Sequence, residues 1–336
     1  MYQVKVLENN RFSKVQQIVG YFMSDIDQGV LKKGERLPTI NEFSAANRVS
    51  RDTIEKAYGR LRASGYIRSY PGRGYFVLDR NKTKTKVLLV FNRLNSFKKI
   101  VYEALQKGLG KDTKVDLCIH HNSPKLLKEI LKTNLGRYDY FVIMPHFRSD
   151  AKPAEFRSIL EMIPAHELIV LDKHVEVWGQ RTKMVYQDFR NDIREALCKS
   201  GSLLEKYKSI SLIFPEKADH PKEIIEGIAD FCLEHRMHFK VISEIEKEMP
   251  HRCSVYIPIE EDDLAKLIKK VRRTSLIIGK DIGIISFNES VFKELLDITV
   301  FTTDFEAMGR TAADFILGKE KGACKNPFYT IYRGSL

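Results

Sequence analysis

Apolar residues at positions 15, 18, 19, 22, 23 and 26 recur at the spacing of one helix face, so the segment opening at Ser13 reads as an amphipathic helix. Ser13 is placed to cap it, and Gly29 lies just past its end. A shorter helix follows Leu37-Pro38, because Thr39 and Glu42 have the T-x-x-E spacing of a capping box; it ends around Asn47–Arg48. After a tight turn Ser50 can cap a third helix. There Ile54, Ala57, Tyr58 and Leu61 share one face, and Gly65 terminates it. The opposite side presents Arg51, Lys56 and Arg60, with Thr53 near the N-terminal end. Two short helices about a tight turn, the second exposing basic and hydroxyl side chains, predict a helix-turn-helix. Two strand-like runs within Tyr66–Val77 then flank Pro71-Gly72-Arg73-Gly74, a hairpin turn whose glycines supply positive φ. Arg73 at its tip is placed to enter a minor groove or touch phosphate.

From residue 87 the period changes. Val87–Phe91, Val115–Ile119, Tyr140–Met144, Leu168–Leu171, Ile210–Phe214, Val255–Ile259, Gly283–Phe287 and Thr299–Phe301 are short β-branched or aromatic runs. Amphipathic stretches separate most of them: Phe97–Leu109, Pro124–Leu135, Pro153–Ile163, Asn191–Lys206, Pro221–His235, Asp262–Val271 and Phe305–Leu317. Near-continuously apolar strands alternating with helices predict parallel sheets covered on both faces. The stretch is long for one open sheet. Two sheets with a cleft between them suit a small ligand held at the strand C-terminal ends.

The 336 residues are 43% hydrophobic and 30% charged, with a mean hydropathy of −0.29, as expected of a globular chain of two or three domains. No apolar run approaches the roughly 18 residues of a membrane span, and the N-terminus lacks the apolar core of a secretory signal. Cys118, Cys198, Cys232, Cys253 and Cys324 are odd in number, widely spaced and without a CxxC. That argues for reduced thiols in a cytoplasmic protein, with no disulfide frame and no zinc site.

The net charge of +12 is more informative, because it is unevenly placed. The polar stretch Asp79–Thr85 reads as a linker. Residues 1–84 carry 16 Lys and Arg against 8 Asp and Glu, whereas the other 252 carry 40 against 36. A basic excess concentrated in one small domain favours nucleic acid over a merely solvated face. The larger remainder is near balance, as suits a small uncharged ligand.

Catalytic signals are absent. Gly108-Leu109-Gly110-Lys111 has the wrong context for a phosphate loop, since it follows a helix and precedes a strand. There is no G-x-G-x-x-G, G-x-S-x-G or H-E-x-x-H, so no cofactor, metal or enzyme chemistry is expected. His120, His121 and His146 fall at predicted strand ends, where a lone histidine is more often a polar lining residue than a ligand.

Gly34-x-Arg36-Leu37-Pro38-Thr39, Val49-Ser50-Arg51-Asp52-Thr53-Ile54, Ala57-Tyr58-x-Arg60-Leu61, Gly65-Tyr66-Ile67 and Gly72-Arg73-Gly74-Tyr75-Phe76-Val77 together closely resemble the winged-helix domain of the GntR family, over roughly 12–78. The resemblance implies that Arg36, Thr39, Ser50, Arg51, Thr53 and the Gly72, Arg73, Gly74 wing contact DNA. Solvated surface arginine remains the plain alternative for Arg36 and Arg60. Asn41 and Glu55 stand where an arginine is common in the family, so an operator sequence cannot be borrowed. The family's aminotransferase-like and all-helical effector domains do not fit the βα order that follows.

A second resemblance does. Asp281-Ile-Gly-Ile-Ile-Ser-Phe-Asn288, followed by Asp304-Phe-Glu-Ala-Met-Gly-Arg310, is similar to the C-terminal signature of LacI/GalR-type effector domains. Val87–Asn92, Leu171-Asp172-Lys173 and Tyr186-Gln187-Asp188 are further matches. The whole looks like the fusion in arabinose-repressor-type regulators. It implies effector contacts from Asn95, Phe97, His146, Asp172 or Lys173, Asp188, Lys222, Glu260 and Asn288, with an aromatic such as Phe97 or Trp178 covering a sugar ring. Lys222, Glu260 and Asn288 depart from the commoner arginine, asparagine and aspartate, and Asp172 could equally be a strand-end cap.

The expectation is an α/β chain of three parts: a winged helix-turn-helix (1–78), a linker (79–86) and a two-lobed periplasmic-binding-protein-like effector domain with parallel sheets (87–336). Its expected function is a homodimeric, sugar-responsive repressor bound to a double-stranded DNA operator. A sugar-binding protein or carbohydrate enzyme with an attached DNA-binding module is the alternative, and a constitutive DNA binder that has lost its ligand is a third.

Overall fold

The computed structural model describes residues 4, 6, 12–32, 34–70, 72–78, 84–147, 153–175, 177, 182–215 and 220–336, with the backbone alone at 153–155. Trp178, Pro71 and residues 79–83 of the expected linker lie outside them. The chain groups into two compact units. One is Met1–Val87 with Lys111–Lys114 and Asn134–Asp139; the other is the remainder.

The first unit contains α1 (Lys14–Asp27), α2 (Ile40–Asn47), α3 (Arg51–Ala63), β1 (Ile67–Tyr70) and β2 (Gly74–Val77). Local signals explain its helix starts. Ser13 and Gln16 form a reciprocal capping box on α1, and Thr39 and Glu42 form one on α2. Arg48 ends α2 with φ at 51°, the left-handed turn that redirects the chain into Ser50 and α3. Ile18, Phe22, Phe43, Ile54, Tyr58 and Leu61 are fully buried between the helices. β1 and β2 pair antiparallel from Ile67↔Val77 to Tyr70↔Gly74, and Arg36 adds an isolated antiparallel bridge to Phe76.

Apart from residues 85–87, 113–114 and 134, which group with the first unit, the second runs β3 (Thr85–Phe91), α4 (Ser96–Leu109), β4 (Thr113–Ile119), α5 (Pro124–Asn134), β5 (Tyr140–Ile143), α6 (Pro153–Leu160), β6 (Leu168–Asp172) and β7 (Lys183–Tyr186). It continues with α7 (Phe189–Lys199), α8 (Gly201–Leu204), β8 (Ser209–Ile213), α9 (Glu223–Glu234), β9 (His238–Ile242), β10 (Ser254–Pro258), α10 (Glu261–Val271), β11 (Ile282–Phe287), α11 (Val291–Leu295) and β12 (Thr299–Thr303). α12 (Phe305–Ile316), β13 (Ala323–Lys325) and β14 (Phe328–Ile331) complete it. Two six-stranded sheets result, ordered β4-β3-β5-β6-β7-β13 and β9-β8-β10-β11-β12-β14. The β12–β14 pair is antiparallel, whereas the other described pairings in these two sheets are parallel.

Both sheets reverse strand order at their first strand, β3 in one and β8 in the other. Each therefore opens a crevice beyond the C-terminal ends of its strands, where open α/β sheets bind ligands. The chain passes between the sheets at Gln187–Asp188, at Asp304 and at Asn326–Pro327, and these crossovers are bonded together. Asn326 N donates to Tyr186 O at 2.7 Å, Asp304 N donates to Pro327 O at 3.0 Å, and Thr303 Oγ1 donates to Gln187 Oε1 at 2.8 Å. After the second crossover α12 packs against α4. A Cβ on Gly309 would lie 2.4 Å from Val101 O, and one on Gly108 would lie 2.7 Å from Ala313 Cβ. The glycine that opens the apparent phosphate loop is thus a helix-packing residue.

Several elements differ from expectation. β7, β9, β13, β14 and α11 were not expected, and the single helix expected over Asn191–Lys206 is two. It breaks at Ser200, whose hydroxyl donates back to Ala196 O at 2.8 Å. Among the described residues no helix is long and apolar enough to cross a membrane.

Candidate nucleic-acid interface and effector cleft

In the helix-turn-helix unit the expected contacts fall at two places. At the start of α3, the Ser50 hydroxyl accepts from the Thr53 amide at 3.3 Å and lies 2.7 Å from the Thr53 hydroxyl. Arg51, the first residue of the helix, is exposed and makes no ion pair among the described residues. Arg60 is also exposed. Lys56 instead lies 2.7 Å from Asp52, an exposed i,i+4 pair worth only a few tenths of a kcal/mol. Thr39 caps α2 and is tied to Glu42. At the wing, Gly72 and Gly74 have φ of 71° and 96°, and a Cβ on Gly74 would meet Arg36 Nε at 3.3 Å. The Arg36 guanidinium therefore backs the wing, and Arg73 stands exposed at its tip.

In the two-lobed unit, an open cleft is lined from both sheets. Asn95, Phe97, His146, Asp172 and Asn288 line it together, five of the nine residues expected for the effector. Asn95 caps α4, its Oδ1 accepting from Lys98 N at 3.0 Å. Phe97 stacks on Phe305 with ring centroids 5.0 Å apart and planes at 20°, an apolar platform of the kind a sugar ring face covers. Asp172 and Asn288 have φ of 73° and 61°, a left-handed bend that costs energy in a non-glycine residue and turns each strand end at the cleft. The loop carrying Asn288 is held from beneath. Lys293, 1% exposed, donates to Phe287 O at 2.6 Å and to Asn288 O at 2.8 Å.

Asp172 is a hub. His146 Nε2 is hydrogen-bonded to its Oδ2, and Gln187 Nε2 donates to its Oδ1 at 2.7 Å. Burial would raise the Asp172 carboxyl, but the His146 charge and these hydrogen bonds, with Lys98 behind them, hold it below its usual value. Asp192 is raised by burial, against an ion pair with Lys325 at 2.8 Å. Glu260 is lowered by its hydrogen bond from His220 at 2.8 Å.

Of the other expected residues, Lys173, Asp188, Lys222 and Glu260 are not among those lining the cleft. Asp188 caps α7, its Oδ1 accepting from Asn191 N at 3.5 Å, and its Oδ2 also accepts from Asn191 Nδ2 at 2.8 Å. Lys222 is exposed at the start of α9 without a side-chain cap. Sequence reasoning missed Arg93, Lys98, Gln187, Asp192, His220 and Thr303, which do line it. Gln187 and Thr303 were detectable as polar residues at crossovers; Arg93 had no local signal.

His120 sits behind the cleft, fully buried, with Nε2 3.2 Å from Met144 O and Nδ1 without a partner. Burial pushes its pKa down to about 4. The unfolded chain takes up this proton below its ordinary value of about 6.5, while the native state refuses it. This contribution is therefore complete above pH ~6.5 and is lost as pH falls toward 4, about 2 kcal/mol by pH ~5. Urea unfolding at about pH 7.5 and 5 should show that loss, and His120→Leu should shrink it; an undiminished difference in the variant would assign the loss elsewhere.

Comparison with known proteins separates the same two parts. Residues 14–77 match the family described as bacterial regulatory proteins, gntR family. The HTH-type transcriptional regulator TreR of Bacillus subtilis is 35% identical over 112 residues, which is 33% of this chain and 43% of that protein. The chain therefore spans less than half the length of the first curated relatives it matches. The transcriptional repressor ascG of Escherichia coli superposes with a TM-score of 0.61 at 14% identity, covering 76% of this chain and 99% of that one. The trehalose repressor from Escherichia coli gives 0.60 at 14%, covering 74% and 100%. The relatives matched at the N-terminus are described as HTH-type transcriptional regulators. Residues 14–77 match the gntR family, and the chain that follows has the two-lobed fold of these two repressors.

Proposed function

We propose that the protein is a cytoplasmic transcription regulator. Its helix-turn-helix unit binds a DNA operator, and its two-lobed unit binds a small sugar-like effector that changes operator affinity, most simply as a repressor of sugar-utilisation genes. The observation that carries this reading is the presence, in one chain, of a GntR-type domain with exposed Arg51 at the start of α3 and a two-sheet cleft lined by polar side chains and stacked Phe97 and Phe305. The name of the trehalose repressor supports a sugar-like effector. An effector that closes the cleft shifts the equilibrium only by binding one arrangement better than the other.

A homodimer completes the reading, since a two-fold protein reads two half-sites. Val291, Phe292 and Leu295 on α11 are 68%, 72% and 75% exposed, an apolar cluster that favours cover by a second copy. The double variant Phe292→Glu, Leu295→Glu should sediment as a monomer and bind operator about a hundredfold more weakly; an unchanged dimer would remove α11 from the interface. Selection from random duplex DNA tests the function itself. Enrichment of a two-fold symmetric site is expected, and failure to enrich any sequence would refute it.

A further inference from the structure

The charges lining the cleft balance in number, Arg93 and Lys98 against Asp172 and Asp192, but not in pairing. Its carboxylates are answered within the protein: Asp172 by His146 and Gln187, Asp192 by Lys325, and neighbouring Glu260 by His220. Arg93 is not. It lies half-buried in the wall after β3 and makes no hydrogen bond or ion pair with any described residue, acting on Glu260 only at longer range. Lys98 lines the same cleft from the first turn of α4 with 8% of its surface exposed. The N-terminus of α4 also opens there, through Asn95, Phe97 and Lys98, and contributes about half a positive charge. Beside them Asn92, 3% exposed, gives its amide hydrogen to Asn122 Oδ1 at 2.7 Å and keeps its own Oδ1 buried and unpartnered. A buried acceptor without a donor costs stability until a ligand hydroxyl reaches it.

We propose that the effector is an anionic polyol, a sugar bearing a phosphate or carboxylate group, whose negative group is held by Arg93 and Lys98 at the α4 N-terminus while its hydroxyls reach Asn92 and Asp172. This rests on reading the cleft as the effector site. It revises the expectation of an uncharged ligand, which came from the charge balance of a whole domain; the ligand meets only the local set. Guanidinium suits the task, because its planar fork matches phosphate and carboxylate oxygens.

Titration calorimetry of the full chain, in phosphate-free buffer, would compare glucose with glucose 6-phosphate and gluconate, and ribose with ribose 5-phosphate. Inorganic phosphate alone completes the set. Binding of at least one charged member about tenfold or more tighter than its neutral parent is expected, weakening as salt rises. The phosphate and carboxylate arms tell the two anions apart. Arg93→Gln should narrow the charged-to-neutral gap about tenfold, and Lys98→Met provides a second, independent removal of charge. Neutral parents binding as tightly as their charged forms, or a gap untouched by Arg93→Gln, would overturn the anionic class and leave the sensor reading standing. Silence across every compound would overturn both.

Discussion

Replacing Tyr58 with alanine is expected to unfold the helix-turn-helix unit and leave the two-lobed unit folded. Tyr58 is fully buried, its ring centroid 5.5 Å from that of Phe22, 4.9 Å from Tyr75 and 6.4 Å from Phe43, and its hydroxyl donates to Pro38 O at 2.8 Å. Truncating such a ring costs about 3–5 kcal/mol, and a domain of this size holds little more than that in total. The Pro38 carbonyl also loses its donor. Calorimetry should lose one transition and retain the other, and operator binding should vanish while effector binding persists. Tyr58→Phe is the control, since it keeps the ring contacts and forfeits about 1 kcal/mol of hydrogen bond. A Tyr58→Ala protein that still bound operator would show that the unit is held by something other than this aromatic cluster.

The second large effect concerns Arg51 and separates binding from folding. The side chain is exposed at the start of α3 and makes no ion pair among the described residues, so Arg51→Ala should change stability by less than about 0.5 kcal/mol. A base contact from a recognition-helix arginine is worth about 1–3 kcal/mol, so operator affinity should fall roughly ten- to a hundredfold. Arg51→Lys should recover only part of it, because a point charge cannot form the paired fork. Fluorescence anisotropy on a selected operator reads the change; wild-type affinity in Arg51→Ala would move base reading elsewhere on the unit.

The helix-turn-helix was legible because its determinants are local. Ser13, Thr39 and Ser50 cap the helices they were expected to cap, and the glycines of the wing have the positive φ that the turn requires. The sheets were legible where strands are buried on both faces, as in β3, β8, β10 and β11. They were obscure at the edges. β9 alternates without a clean face, β13 has three residues, and both are defined by the strand beside them. The cleft divides the same way. Asn95, Asp172 and Asn288 stand at strand ends and cap positions that sequence can mark. Arg93 and His220 reach the cleft because of where loops converge, and Lys293 matters through two carbonyls it holds. None of those facts has a sequence period.

In the proposed function one chain couples a DNA-reading unit to a ligand-binding cleft. The direct measurement is the anisotropy of a labelled, selected operator bound to the full chain, titrated with the compound that calorimetry shows to bind. The expected result is a saturable change in operator affinity of about fivefold or more, abolished by Asp172→Asn with the ligand-free affinity retained. Operator affinity that stays constant while the cleft fills with ligand would contradict it.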